Sequence, residues 1–164
     1  LAKMKDFLEH DDESHHHDKD KKCRNCICEM LEDIREAQEE VRNRTEDKCC
    51  SLNDMEQRPI HDTIPFLLQT PYGHPYFTWG KVGTEHCFVT VFFSVVKVDC
   101  EENCAVLRLL KPNASLIDPD TDSVEPALIC NVDFVTKTNE CVLVDLSCFS
   151  ALKCLSPKFI KNKQ

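Results

Sequence analysis

The chain has 164 residues, the size of one ordinary domain, and 12 of them are cysteine. A chain of this length buries a core without covalent staples, so the cysteines exceed what folding requires. Lys+Arg 20 against Asp+Glu 29 leaves a net charge of −9, which disfavours phosphate neutralisation on a nucleic acid and attraction to an anionic membrane. Only 3 glycines argue against collagen-like or phosphate-loop architectures, and 41% hydrophobic residues argue against global disorder.

Residues 1–22 are polar and mixed in charge, and read as a flexible tail rich in histidine and charge. They hold acids and histidines where a secretory signal would be apolar. Residues 23–50 read as an amphipathic helix flanked by cysteines. Ile27, Met30, Leu31, Ile34, Ala37, Gln38 and Val41 follow helical spacing, and Arg35–Glu39 and Glu40–Arg44 stand one turn apart. The stripe is narrow, so the helix is expected to lie on a sheet, a partner helix or a neighbouring subunit.

Residues 60–160 read as a β domain. Strands are predicted at Ile64–Leu68, Tyr76–Trp79, Phe88–Val98, Ala105–Leu110, Ala127–Phe134 and Val142–Leu146, where β-branched and aromatic residues dominate. Phe88–Val98 is apolar on both faces, as a strand covered on both sides should be. The longest apolar run, Cys87–Val98, is far too short and interrupted to span a bilayer. Turns are expected at Pro71–Gly73, Glu101–Asn103 and Lys137–Glu140, and a surface loop at Asn113–Glu125. The predicted class is α+β, mainly β: an antiparallel, sandwich-like domain preceded by one amphipathic N-terminal helix.

The cysteines carry whatever chemistry the chain has. Cys23, Cys26 and Cys28 precede or open the helix, where the helix dipole lowers thiol pKa. Adjacent Cys49 and Cys50 make a strained pair and suit two different partners. These five are candidates for bonds between subunits. Cys100 and Cys104 flank a three-residue turn and are the candidates for an intrachain bond. Cys87 and Cys141 alternate with core-facing positions and read as buried thiols. A weaker alternative gives Cys23, Cys26 and Cys28 to zinc, with His15, His16, His17 or Cys49 completing the set, although no second C-x-x-C knuckle exists. His86 and Cys87 are adjacent, which sends their side chains to opposite faces of a strand and gives no dyad. No hydrolase, metalloprotease or phosphate-loop motif is present, so no enzyme and no cofactor are expected. Trp79 reads as a packing residue. The acceptor patterns Asn43-Arg-Thr45 and Asn113-Ala-Ser115 are discounted for glycosylation, since no signal is expected.

A set of ordered blocks resembles a known family. These are Asp62-Thr-Ile-Pro-Phe66, Phe77-Thr-Trp-Gly-Lys-Val-Gly83, Cys87-Phe88 with Phe92-Phe93, and Cys104-Ala-Val-Leu-Arg-Leu-Leu-Lys-Pro112. The most specific is Val144-Asp-Leu-Ser-Cys-Phe-Ser-Ala-Leu-Lys-Cys-Leu-Ser-Pro157. Together they resemble the spore coat protein Y/Z family, which also includes the exosporium protein Y. The resemblance implies a structural protein of the endospore coat or exosporium, made in the mother-cell cytoplasm without a signal peptide. It implies self-assembly into cyclic or hexagonal arrays, locked through cysteines after the mother cell lyses. Carried over by position, the matching cysteines are Cys23, Cys26, Cys28, Cys87, Cys104, Cys148 and Cys154, which adds Cys148 and Cys154 to the intersubunit candidates. The implied partners are further copies of the chain, other coat or exosporium proteins and, for a specialised member, the subunits of spore appendages; no nucleic acid and no membrane are among them. Residues 1–22 and Ser51–His61 match poorly, which points toward such a specialised member. The competing classes are a zinc-stabilised protein-binding module and a thiol oxidoreductase.

Overall fold

The computed structural model describes residues 25–46 and 61–162. The residues 1–22 expected to form a tail, with the His15–His17 run, and the cysteines Cys23, Cys49 and Cys50 lie outside them.

Helix α1 spans Cys26–Glu46. Asn25 caps it: its Oδ1 accepts from Ile27 N–H at 2.9 Å, which satisfies one of the free donors at a helix start. Both expected ion pairs form, Arg35–Glu39 at 3.0 Å and Arg44–Glu40 at 2.9 Å, on the solvent side. The buried stripe is Ile27, Cys28, Leu31, Ile34 and Gln38. It is rotated slightly from the predicted one: Met30 and Ala37 are exposed, and Cys28 takes their place.

Seven strands follow among the described residues: β1 Phe66–Gln69, β2 Thr78–Gly80, β3 Phe88–Thr90, β4 Phe92–Asp99, β5 Cys104–Pro112, β6 Val135–Asp145 and β7 Ala151–Cys154. Five make one antiparallel sheet in the order β6-β5-β4-β1-β7, and β2 and β3 form a separate ribbon. The α+β, mainly β class is therefore what the chain adopts. The predicted strand Phe88–Val98 is two strands. Thr90 is buried, and its hydroxyl accepts from Phe92 N–H and donates to Leu110 C=O, which breaks the run at Val91. The predicted strand Ala127–Phe134 is instead a 3₁₀ segment at Pro126–Asn131 followed by three irregular residues. Pro126 lacks the N–H a strand would use, and the Glu125 carboxylate accepts from Ala127 N–H at 3.2 Å. The turn expected at Lys137–Glu140 lies within β6 as an irregularity opposite Leu109. Strand β7 was not foreseen.

Strand alternation divides the core between the two faces of the sheet. One face carries Phe66, Leu68, Phe93, Val95, Ala105, Leu107 and Leu109, and α1 covers it with Ile27, Leu31 and Ile34. The other carries Phe92 and Leu110, covered by Leu116, Val132 and the partly buried Phe159 and Ile160 from the loop and the C-terminal segment.

Two polar ties fix how the helix lies. Strand β4 has one extra residue between Val95 and Lys97, a β-bulge centred on Val96. Buried Gln38 reaches this point: its Nε2 donates to Val95 C=O at 3.4 Å, and its Oε1 accepts from Ile64 N–H at 2.9 Å. Asp62 supplies the second tie, pairing with Lys137 at 3.0 Å and Arg42 at 3.4 Å.

Truncating Gln38→Ala strands two backbone groups in the interior. It should cost about 1–3 kcal/mol, read as a lower urea midpoint with an unchanged slope. A second prediction concerns acid. Burial pushes the Asp62 carboxyl up, but the hydrogen bond and charge of Lys137, with Thr63 and Arg42, outweigh it and hold the carboxyl below its ordinary value. The stability from Asp62 is therefore complete above the ordinary aspartate range and is lost as pH falls through the depressed folded value. Asp62→Asn should flatten this acid limb in a pH series of urea midpoints, by at most about 1 kcal/mol for so solvent-accessible a pair.

Candidate functional site

Among the described residues the cysteines separate into one disulfide, Cys28–Cys100, and a set of free thiols. Cys28, 1% exposed on the core stripe of α1, is bonded to Cys100, with 5.8 Å between Cα atoms. This corrects two expectations. Cys28 is not an outward residue, and Cys100 does not bond Cys104. The reason lies in strand parity. Cys100 packs with the helix-side core, whereas Cys104 shares its parity with Val106 and Arg108 on the opposite face. Cys104 keeps a free thiol, which lies 3.4 Å from Glu102 C=O. In the chain-entropy picture, a bond across 72 residues stabilises the fold by about 4 kcal/mol.

One end of the sheet gathers much of the sulfur. Asn25 Nδ2 donates to Leu146 C=O at 3.1 Å, and Leu146 N–H donates to Asn103 C=O at 2.9 Å. These bonds bring together the start of α1, the β4–β5 turn and the 3₁₀ segment Leu146–Cys148 that follows β6. Asn103 makes that turn with φ +56°, a left-handed conformation asparagine tolerates. Cys26, the Cys28–Cys100 bond, Cys104 and Cys148 therefore share this end, and Cys26 and Cys148 are free and exposed.

The remaining thiols lie on separate elements. Cys87 follows the turn after β2, Cys130 sits in the Pro126–Asn131 segment, Cys141 is on β6 and Cys154 ends β7. All four are free and exposed. Cys87 and Cys141 are thus not the buried thiols expected. For Cys141 the signal was in the sequence: Leu143 and Asp145 share its parity, and an aspartate at that phase marks the outer face. Cys130 drew no expectation, because its segment read as a strand. Cys154 is exposed, yet partial burial pushes its thiol pKa up.

The zinc candidates Cys23, His15, His16, His17 and Cys49 lie outside the described residues. Among the described residues no group of three or more His, Cys, Asp or Glu is arranged to hold a metal ion. Cys28, one of the three thiols proposed for zinc, is already bonded to carbon-borne sulfur on another element. His86 faces Glu85 at 3.4 Å on an exposed turn, with the adjacent Cys87 also exposed. Trp79 is not a packing residue: it is 53% exposed and meets Phe77 edge to face at 5.4 Å. Among the described residues no helix is long and apolar enough to cross a membrane.

No solved structure matches the chain. It is 34% identical over 150 residues to Spore coat protein Z of Bacillus subtilis (strain 168), covering 86% of this chain and 95% of that protein. The family model described as Spore coat protein Z matches residues 15–157, from before the helix to the end of β7 and beyond. The chain therefore belongs to the Spore coat protein Z family.

Proposed function

We propose that the chain is a structural subunit of the spore's outer layers that assembles with further copies and is locked by disulfides between them. The observation that carries this reading is the division of the sulfur. One disulfide joins helix to sheet inside the fold, while Cys26, Cys87, Cys130, Cys141, Cys148 and Cys154 remain free and exposed on separate elements. Thiols turned outward in several directions cannot all be satisfied within one chain, but they suit bonding to neighbours on several sides. Closed rings with the same contact repeated around them use such a surface. Each bond formed would raise kinetic stability, because an unfolded subunit stays attached to its neighbours. The coat or exosporium is the setting this family membership favours, with other coat proteins, and in a specialised role appendage subunits, as further partners.

Of the intersubunit candidates, Cys26, Cys148 and Cys154 are exposed and free, and belong in this proposal. Cys23, Cys49 and Cys50 stay in it on their sequence positions alone. Cys28 leaves it, and Cys87, Cys130 and Cys141 enter.

Electrophoresis of assembled, air-oxidised chain tests the proposal. The expected result is a ladder of high-mass species without reductant that collapses to the single chain with it. Single-chain mobility in both lanes would overturn it. Replacing Cys26, Cys148 and Cys154 together by serine should thin the ladder while leaving the Cys28–Cys100 bond intact, as peptide mapping would show. Rates should differ as well. Because the Cys154 thiol is pushed up, less of it is thiolate at a given pH, and its alkylation should level off at a higher pH than that of an unstructured cysteine peptide.

A further inference from the structure

The five-stranded sheet ends on one side at β6, which has β5 on its inner side and, among the described residues, no strand along its outer side. Among the described residues only Val135, at its start, is bridged there, to Ile160. Which backbone groups face outward follows from one hydrogen bond. Leu146 N–H donates to Asn103 C=O, so that pair is of the hydrogen-bonded kind. Antiparallel pairs alternate, so Ala105–Val144 and Leu107–Val142 are hydrogen-bonded as well. The N–H and C=O groups of Cys141, Leu143 and Asp145 consequently point away from β5. No strand among the described residues pairs with them.

The stretch Cys141-Val-Leu-Val-Asp145 lacks the usual protection of an edge. It has no proline and no lysine, and its one charge is at its end. Leu143, at its centre, is 70% exposed. The irregularity at Thr138–Glu140 bounds the open edge on the other side: Thr138 C=O is taken by Arg108 at 2.9 Å, and Glu140 N–H by the Thr138 hydroxyl at 3.1 Å.

We propose that this five-residue edge pairs antiparallel with the same edge of a second copy, across a two-fold axis at Leu143. The segment is self-complementary about that residue. Leu143 meets Leu143 of the second copy, and Cys141 stands opposite Asp145 in both directions. All three residues with outward groups then fall in hydrogen-bonded pairs, so every free donor and acceptor of the stretch is used at once. The bulge is left outside the pairing. The exposed leucines come side by side on the uncovered part of the sheet, beside the partly exposed Val106 that stands opposite Leu143 on β5. A strand pair this short buries less than the roughly 1,000 Å² of a stable interface, so it associates weakly and reversibly. The proposal rests on the reading that the chain assembles with copies of itself, and it supplies a non-covalent contact for bonds between other thiols to lock. Cys141 and Cys141 of the second copy are four residues out of register, about 13 Å apart along the strands, so this contact is not itself a disulfide.

Amide hydrogen exchange on the full chain, kept in reductant and followed at low and high protein concentration, tests this without any cross-link. Exchange at Cys141, Leu143 and Asp145 should slow by about tenfold or more as concentration rises, while sedimentation shows dimers. Leu143→Lys puts a charge at an already exposed centre, and should abolish both effects with the thermal midpoint nearly unchanged. Leu143→Pro removes one outward N–H without touching the ladder to β5, and should do the same. Fast exchange at every concentration would overturn the proposal, because the edge is then open. Slow exchange at every concentration would also overturn it, because the edge is then closed within one chain. Neither result touches the thiol reading, which the oxidised electrophoresis decides separately.

Discussion

The docking of α1 on the sheet is the constraint from which the rest follows. It shares the cover of one apolar face: Ile27, Leu31 and Ile34 cluster with Phe66, Leu68, Phe93, Val95, Leu107 and Leu109, while Tyr76 and Phe149 pack against the same core. Burying side chains of this kind is worth about 1.5–3 kcal/mol each, against about 1 kcal/mol net for a hydrogen bond. Apolar burial therefore supplies most of the attraction. It has no direction, however, and a helix could slide or rotate on a greasy sheet. Gln38 removes that freedom, because its amide fits one place only, between the bulged Val95 carbonyl and the Ile64 N–H. The 2.9 Å bond to Ile64 is the stronger of the two, and the 3.4 Å bond to Val95 serves mainly to keep the bulge from being left unsatisfied.

With the helix fixed in that register, Cys28 faces Cys100 and the bond between them becomes possible. The same seating presents Asn25 to Leu146, which holds the end of β6 beside the β4–β5 turn. The covalent link thus confirms an arrangement that packing and Gln38 have already selected. Its contribution in the chain-entropy picture, about 4 kcal/mol, is comparable with two buried leucines. It stabilises a fold that has a full core of its own, and of the other described cysteines Cys26, Cys87, Cys130, Cys141, Cys148 and Cys154 are free and exposed.

Much of this was legible in the residues. The helix, its two ion pairs, the mainly β remainder and the turns at Pro71–Gly73 and Glu101–Asn103 follow from local spacing and turn chemistry, which do not need a partner in space. Most of the misses depend on a partner far along the chain. Gln38 read as one polar residue in an apolar stripe, and its role exists only because β4 bulges opposite it. Strand β7 has just four residues and forms because β1 offers it an edge, with Phe66 opposite Cys154 and Gln69 opposite Ala151. Pro126 did carry a local warning against the strand at Ala127–Phe134, overridden there by the run of apolar residues.

Cysteine pairing shows the same limit in its sharpest form. Cys100 and Cys104 are close in sequence and meet at a hairpin, yet proximity along the chain is the wrong measure. A strand turns successive side chains to opposite faces, so the face on which a thiol emerges decides what it can reach. Cys100 falls on the helix side and meets a cysteine 72 residues away. Cys104 falls on the other side, on the same face of the sheet as exposed Cys141 and Leu143. That face is covered near Phe92 and Leu110 by the loop and the C-terminal segment, and is open where Cys104, Val106, Cys141 and Leu143 lie. The helix closes its face with apolar side chains, an amide and a disulfide, all within one chain. The opposite face is closed over only half its length, and its other half ends at a strand edge whose hydrogen-bonding groups point outward. Among the described residues the sheet is thus closed on its helix side and open on the other at the end where Cys104, Cys141 and Leu143 lie.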